Sequence, residues 1–115
     1  MNDEDGAVRD LLLEVQRHGT ETTLSVTGEL DAATAPELAD LCRSVHDEGV
    51  RDIVIDLTDT TFLDSSGLRA LIGARQLFGD EGANLRLVHP SEPLRRLLDI
   101  TGLDGYFAID DSPSA

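Results

Sequence analysis

Phe62-Leu63-Asp64-Ser65-Ser66-Gly67-Leu68 is the stretch that decides the fold. Just before it stand Ile53-Val54-Ile55-Asp56-Leu57, then a short polar turn. That nearly continuous apolar run has strand length, as expected where both faces of a strand are covered. After it, Leu68, Leu71, Ile72 and Phe78 recur at helical spacing, with Arg69, Gly73 and Gln76 on the outer face and a stop over 79–82. Two hydroxyls, a carboxylate and a glycine therefore fall at a strand-to-helix junction, where backbone N–H groups lack helical partners.

Upstream, Leu11, Leu13 and Val15 alternate with polar neighbours apart from Leu12, and Leu24 and Val26 alternate with Thr23, Ser25 and Thr27. A turn at Arg17-His18-Gly19-Thr20 between them predicts an antiparallel hairpin. The second strand ends at Gly28-Glu29-Leu30-Asp31. A first helix follows: Thr34 and Glu37 have capping-box spacing, Pro36 is tolerated in the first turn, and Leu38, Leu41, Cys42 and Val45 form one stripe that stops near Gly49. Downstream, Leu85, Leu87 and Val88 predict a strand, and Ser91-Glu92-Pro93 opens a third helix with Leu94, Leu97 and Leu98 inward and Gly102 as its stop. Tyr106 to Ile109 predicts a short last strand.

Strands joined through helices are parallel neighbours with right-handed crossovers. The expected fold is α/β, with a mixed sheet of four to five strands, helices, and an antiparallel first strand. Its domain spans residues 10–109, with a flexible N-terminus over 1–9 and a flexible tail over 110–115. One consequence bears on function. If the second and third strands are parallel, Asp31 and Ser65 share the rim formed by their C-terminal ends, where open α/β sheets bind ligands.

Composition narrows the function classes. The chain has 115 residues, enough for one domain whose core needs neither disulfide nor metal. Its net charge is -14, and all nine basic residues are arginines. Without lysine there is no phosphate-loop lysine, Schiff base or lysine general base. The acidity opposes direct nucleic-acid binding and an anionic membrane surface, and favours a protein partner with a basic surface. The single Cys42 excludes an internal disulfide. Met1-Asn2-Asp3-Glu4-Asp5 does not read as a secretory signal, and no run approaches a membrane span, so a cytoplasmic location is expected.

Two readings of Asp64-Ser65-Ser66-Gly67 stand side by side. In one, Asp or Ser is an ordinary helix cap, worth about 1 kcal/mol. In the other, Ser65 is a phosphorylation switch: the helix N-terminus tolerates the added charge, and the effect falls on whatever docks there. Gly67 in a first helical turn is unfavourable by roughly 1 kcal/mol against Ala, which makes sense where another backbone or a partner comes close. Asp31 is either a turn residue or part of the same site, and Asp56 reads as structural. A serine hydrolase is disfavoured: the nucleophile-elbow motif is absent, and His18, His46 and His89 are scattered. Cys42 reads as a small buried residue, and no metal-ligand or nucleotide motif is present.

Thr61 to Leu68, together with Val26-Thr27-Gly28-Glu29-Leu30-Asp31 and Pro93 to Leu103, resembles the anti-sigma factor antagonists, the single-domain bacterial STAS proteins. The resemblance covers roughly residues 10 to 109, and the Asp-Ser-Ser-Gly-Leu and Thr-Gly-Glu-Leu-Asp motifs are specific only in combination. It implies a non-enzymatic regulator without cofactor or metal. The unphosphorylated form would bind an anti-sigma factor that is a serine kinase and so free a sigma factor. Phosphorylation at Ser65, with Ser66 as second choice, would release the partner, and a phosphatase would reset it. The implied partner surface comprises Asp31, Asp64, Ser65, Ser66, Gly67 and Arg69, with Arg69 at a variable position that tunes partner choice. Many family members carry a fourth helix after the last strand, which is expected to be missing or vestigial here. The same family also supplies subunits of lipid- and anion-transport complexes, the alternative function.

Overall fold

In the computed structural model, which describes residues 11–79 and 84–110, the chain runs β1 (Leu11–His18), β2 (Glu21–Leu30), α1 (Ala35–Asp47), β3 (Asp52–Asp56), β4 (Thr60–Leu63), α2 (Ser65–Phe78), β5 (Asn84–Val88), α3 (Glu92–Thr101) and β6 (Ala108–Asp110). The strands form one six-stranded sheet in the order β1-β2-β3-β5-β6, with β4 on β2. β1 pairs antiparallel with β2, and every other pairing is parallel. The α/β class and the antiparallel first strand are as the sequence predicts.

Because each crossover steps the same way across the sheet, one hand places the helices on one face. Burial agrees: β2 buries Thr22, Leu24 and Val26, while Thr23, Ser25 and Thr27 are half-buried. Leu24, Ile55 and Leu87 from the sheet share one core with Leu38 and Val45 of α1, Leu71 and Phe78 of α2, and Leu94 and Leu98 of α3. On the other face Arg86 holds Glu21 at 2.8 Å and Asp110 at 2.9 Å.

Three expectations need correction. The polar turn before the motif is partly a strand, β4, which raises the count above four to five. Its β-branched threonines suit a pleated backbone, and two of them are fastened to β2: Thr60 Oγ1 donates to the Val26 carbonyl at 2.9 Å and Thr61 Oγ1 to that of Gly28 at 3.2 Å. The bulge that lets β2 leave β3 for β4 lies between Gly28 and Glu29, where Gly28 takes φ 107°, a conformation that favours glycine. The second correction is the cap of α1: Thr34 makes no capping bond from its side chain. The third is the last strand, which is Ala108–Asp110; Tyr106 belongs to a turn, and Asp110, expected in the tail, pairs with Val88. The expected flexible ends otherwise lie outside the described residues, as do 80–82 of the predicted helix stop.

The other helix ends follow local chemistry. Ser91 caps α3 by accepting from the Leu94 N–H at 3.3 Å, and Gly102 closes it in the left-handed region. Cys42 is buried on α1, and burial pushes its thiol up to about 12 despite the neighbouring Arg43. It is therefore a packing residue, as read from the sequence.

Candidate functional site

The junction is assembled where β2 and β4 end together. Leu30 is in register with Leu63, so the following residues, Asp31 and Asp64, emerge side by side. The Asp64 N–H also reaches the Leu30 carbonyl at 3.4 Å. The shared rim expected from topology is thus formed, through β4 instead of directly through β3.

Asp64 is the cap. Its backbone is extended, and Oδ1 accepts from the Ser66 N–H at 2.8 Å and the Gly67 N–H at 3.2 Å, while its carbonyl accepts from the Leu68 N–H at 3.0 Å. Ser65 is consequently the first helical residue. Its side chain is exposed, and its hydroxyl makes no hydrogen bond among the described residues. The choice left open by the sequence, Asp or Ser as cap, falls to Asp64. Ser66 is half-buried.

Gly67 is buried because α2 lies directly against the end of β2. A Cβ there would stand 2.6 Å from the Leu30 carbonyl oxygen and 3.0 Å from each of Leu30 Cγ and Leu63 Cγ. Of the two explanations offered for this glycine, close approach of another backbone is the one realised.

Asp31 builds the turn that leads into α1. Its Oδ1 accepts from the Ala33 N–H at 3.0 Å and the Thr34 N–H at 3.1 Å, and its carbonyl accepts from the Ala35 N–H at 2.7 Å. The Thr34 hydroxyl accepts from the Asp31 N–H at 2.9 Å and donates to the Glu29 carbonyl at 2.7 Å. Sequence reasoning assigned Thr34 to the helix and missed that it braces the rim. Its signal was the Asp-x-x-Thr spacing, in which either residue can cap. Because only Oδ1 is committed among the described residues, Asp31→Asn should preserve the turn and keep the unfolding midpoint near that of the native chain, whereas Asp31→Ala should lose about 1 kcal/mol by denaturant titration.

Arg69 is exposed one helical turn after Ser65 and has no ion pair or hydrogen bond among the described residues. The structure therefore brings Asp31, Asp64, Ser65, Ser66, Gly67 and Arg69 to one rim. The histidines lie elsewhere. His46 packs edge-on against Phe78, and His89 Nδ1 lies 3.1 Å from Thr58 Oγ1 at the end of β3. No histidine is hydrogen-bonded to Ser65 among the described residues. Asp56, read as structural, accepts from the Thr58 N–H at 3.0 Å. Among those residues no group of three or more His, Cys, Asp or Glu could hold a metal, and no helix is long and apolar enough to cross a membrane.

A mostly parallel sheet with one antiparallel edge, carrying an exposed serine beside a capping aspartate, defines a small α/β domain with a polar rim. The chain belongs to the STAS domain family, whose model matches residues 13–114. It is 31% identical over 102 residues to an anti-sigma-B factor antagonist of Staphylococcus epidermidis, covering 89% of this chain and 94% of that one. It is also similar to the crystal structure of an anti-sigma factor antagonist from Mycobacterium paratuberculosis, with a TM-score of 0.79, 31% identity, and coverage of 89% and 86% of the two chains. The phosphorylated form of the Bacillus cell fate determinant SpoIIAA shares the fold, with a TM-score of 0.70, 17% identity and coverage of 88% and 93%.

Proposed function

We propose that this chain is a phosphorylation-gated antagonist of an anti-sigma factor. Unmodified, it binds an anti-sigma factor that is a serine kinase and so frees a sigma factor. Phosphorylation of Ser65 by that kinase breaks the complex, and a phosphatase restores it. The chain is the kinase's substrate and not itself an enzyme, and it works in the cytoplasm. The partner surface is the rim of Asp31, Asp64, Ser65, Ser66, Gly67 and Arg69.

The observation that carries this reading is the division of labour at the start of α2. Asp64 supplies the capping oxygen, which leaves the exposed Ser65 hydroxyl with no structural task among the described residues. A phosphate there brings about -1.5 to -2 charges beside the positive end of the helix dipole, so the fold accepts it. The docking partner instead meets added bulk and charge. The names of the relatives support the same reading, and SpoIIAA, which shares the fold, exists in a phosphorylated form.

Incubation with a candidate anti-sigma kinase and ATP, followed by peptide mapping, tests it. A single phosphate on Ser65 is expected. Modification only at residues other than Ser65 and Ser66 would end the proposal. Co-purification with membrane transport proteins and no phosphorylation would favour the transport-subunit alternative.

A further inference from the structure

A groove of about 430 Å³ runs between α1 and α2 and opens toward the rim. Its walls are Pro36 and Ala39 of α1 and Ala70, Gly73 and Leu77 of α2, over the buried Cys42. Small side chains keep it open: a Cβ on Gly73 would meet nothing within 4 Å. Ser66 and Arg69 also line it, so the groove is continuous with the proposed switch.

Charge indicates what fits. Arg17, Arg43 and Arg86 each hold a carboxylate of this chain, and Arg75 donates to the Tyr106 carbonyl at 3.1 Å. Arg69, at the groove, has no partner among the described residues in a chain of net charge -14. A guanidinium beside an apolar trough suits a segment with apolar anchors and a carboxylate. A second copy of so acidic a chain would have to overcome its own repulsion.

We infer that the α1–α2 groove receives an amphipathic helix of the anti-sigma factor, with two apolar residues one turn apart in the trough and a carboxylate on Arg69. This inference rests on the proposed function and adds the chemistry of the partner segment. Helix-in-groove docking with anchors three or four residues apart is a common recognition mode. It also couples the groove to the switch. Arg69 lies four residues after Ser65 on the same helical face, so a phosphate on Ser65 competes with the partner's carboxylate for the guanidinium.

The test is calorimetric titration of the full chain with its cognate anti-sigma factor, without ATP, using wild type, Gly73→Leu, Arg69→Glu and Ser65→Asp. Gly73→Leu fills the trough from an open helical position, so its melting temperature should stay level or rise. Its affinity should fall by about thirtyfold or more, the loss typical of a blocked anchor site. Arg69→Glu should cost about tenfold, regained when the partner's carboxylate is changed to lysine. Wild-type affinity in Gly73→Leu together with loss in Ser65→Asp overturns the groove inference and leaves the switch intact. Undiminished affinity in both variants overturns both. Self-association of the chain that Gly73→Leu abolishes would give the groove to a second copy. Binding of a fluorescent fatty acid lost in Gly73→Leu, with kinase affinity unchanged, would give it to an acyl chain. Either result overturns the inference.

Discussion

Ser65→Asp and Ser65→Glu are expected to weaken binding to the anti-sigma kinase by more than about hundredfold, while the melting temperature holds or rises by a few degrees. The stability side follows from position. Ser65 is the first residue of α2, and Asp64 already fills the capping role. A carboxylate at that position gains about 0.3–1 kcal/mol from the helix dipole and sacrifices no hydrogen bond among the described residues. On the binding side two effects oppose each other. A further negative charge strengthens long-range attraction to a basic partner, which acts mainly on the association rate and is screened by salt. At contact, an interface shaped around a hydroxyl must bury a carboxylate for which the partner offers no matching donor, next to Asp31 and Asp64. That desolvation cost is several times the steering gain and appears in the dissociation rate. Surface plasmon resonance resolves the two rates. A fall of many degrees in melting temperature would instead make Ser65 part of the scaffold. Asp64→Ala is the contrasting control: it removes the cap, costs about 1 kcal/mol, and leaves the Ser65 hydroxyl in place.

Much of this arrangement is legible in the sequence because it depends on local periodicity. Leu68, Leu71 and Phe78 mark the inward stripe of α2, and all three are buried; Arg69, Gly73 and Gln76 are exposed. The capping chemistry around Ser91 and Gly102 is equally local. What the sequence conceals is set by distant partners. β4 has only four residues, too few for an alternation test, and its threonines read as turn residues until the Val26 and Gly28 carbonyls are brought to them. Thr34 and Asp31 both have cap chemistry. The choice between them is made by the Glu29 carbonyl, which takes the Thr34 hydroxyl and leaves Asp31 to hold the N–H groups. The α1–α2 groove depends on how two helices separated by two strands pack, which neither helix specifies alone.

Gly67→Ala should be the most damaging single-methyl change at the site. On helix propensity alone it would stabilise the chain by roughly 1 kcal/mol. Packing reverses that sign. The new Cβ would lie 2.6 Å from the Leu30 carbonyl oxygen, a backbone atom held in the β2–β4 pairing, and 3.0 Å from the Cγ atoms of Leu30 and Leu63. No flexible side-chain end is available to yield, so α2 must lift away from the end of β2. Overpacking of this kind costs about 1–3 kcal/mol after relaxation; the carbonyl contact puts Gly67→Ala at the upper end, so a net loss of about 2 kcal/mol is expected. For a domain of this size that corresponds to a fall of about 8–15 °C in melting temperature, with the urea slope unchanged if the fold persists. The same lift separates Ser65 from Asp31, so kinase binding should fall as well, in contrast to Ser65→Asp, which breaks binding without lowering stability. Gly73→Ala supplies the internal comparison. It is the same substitution on the same helix, six residues on, at a position where a Cβ meets nothing within 4 Å, and it should raise the unfolding midpoint. If Gly67→Ala and Gly73→Ala shift the midpoint alike, the close seating of α2 on β2 is not what holds the rim together.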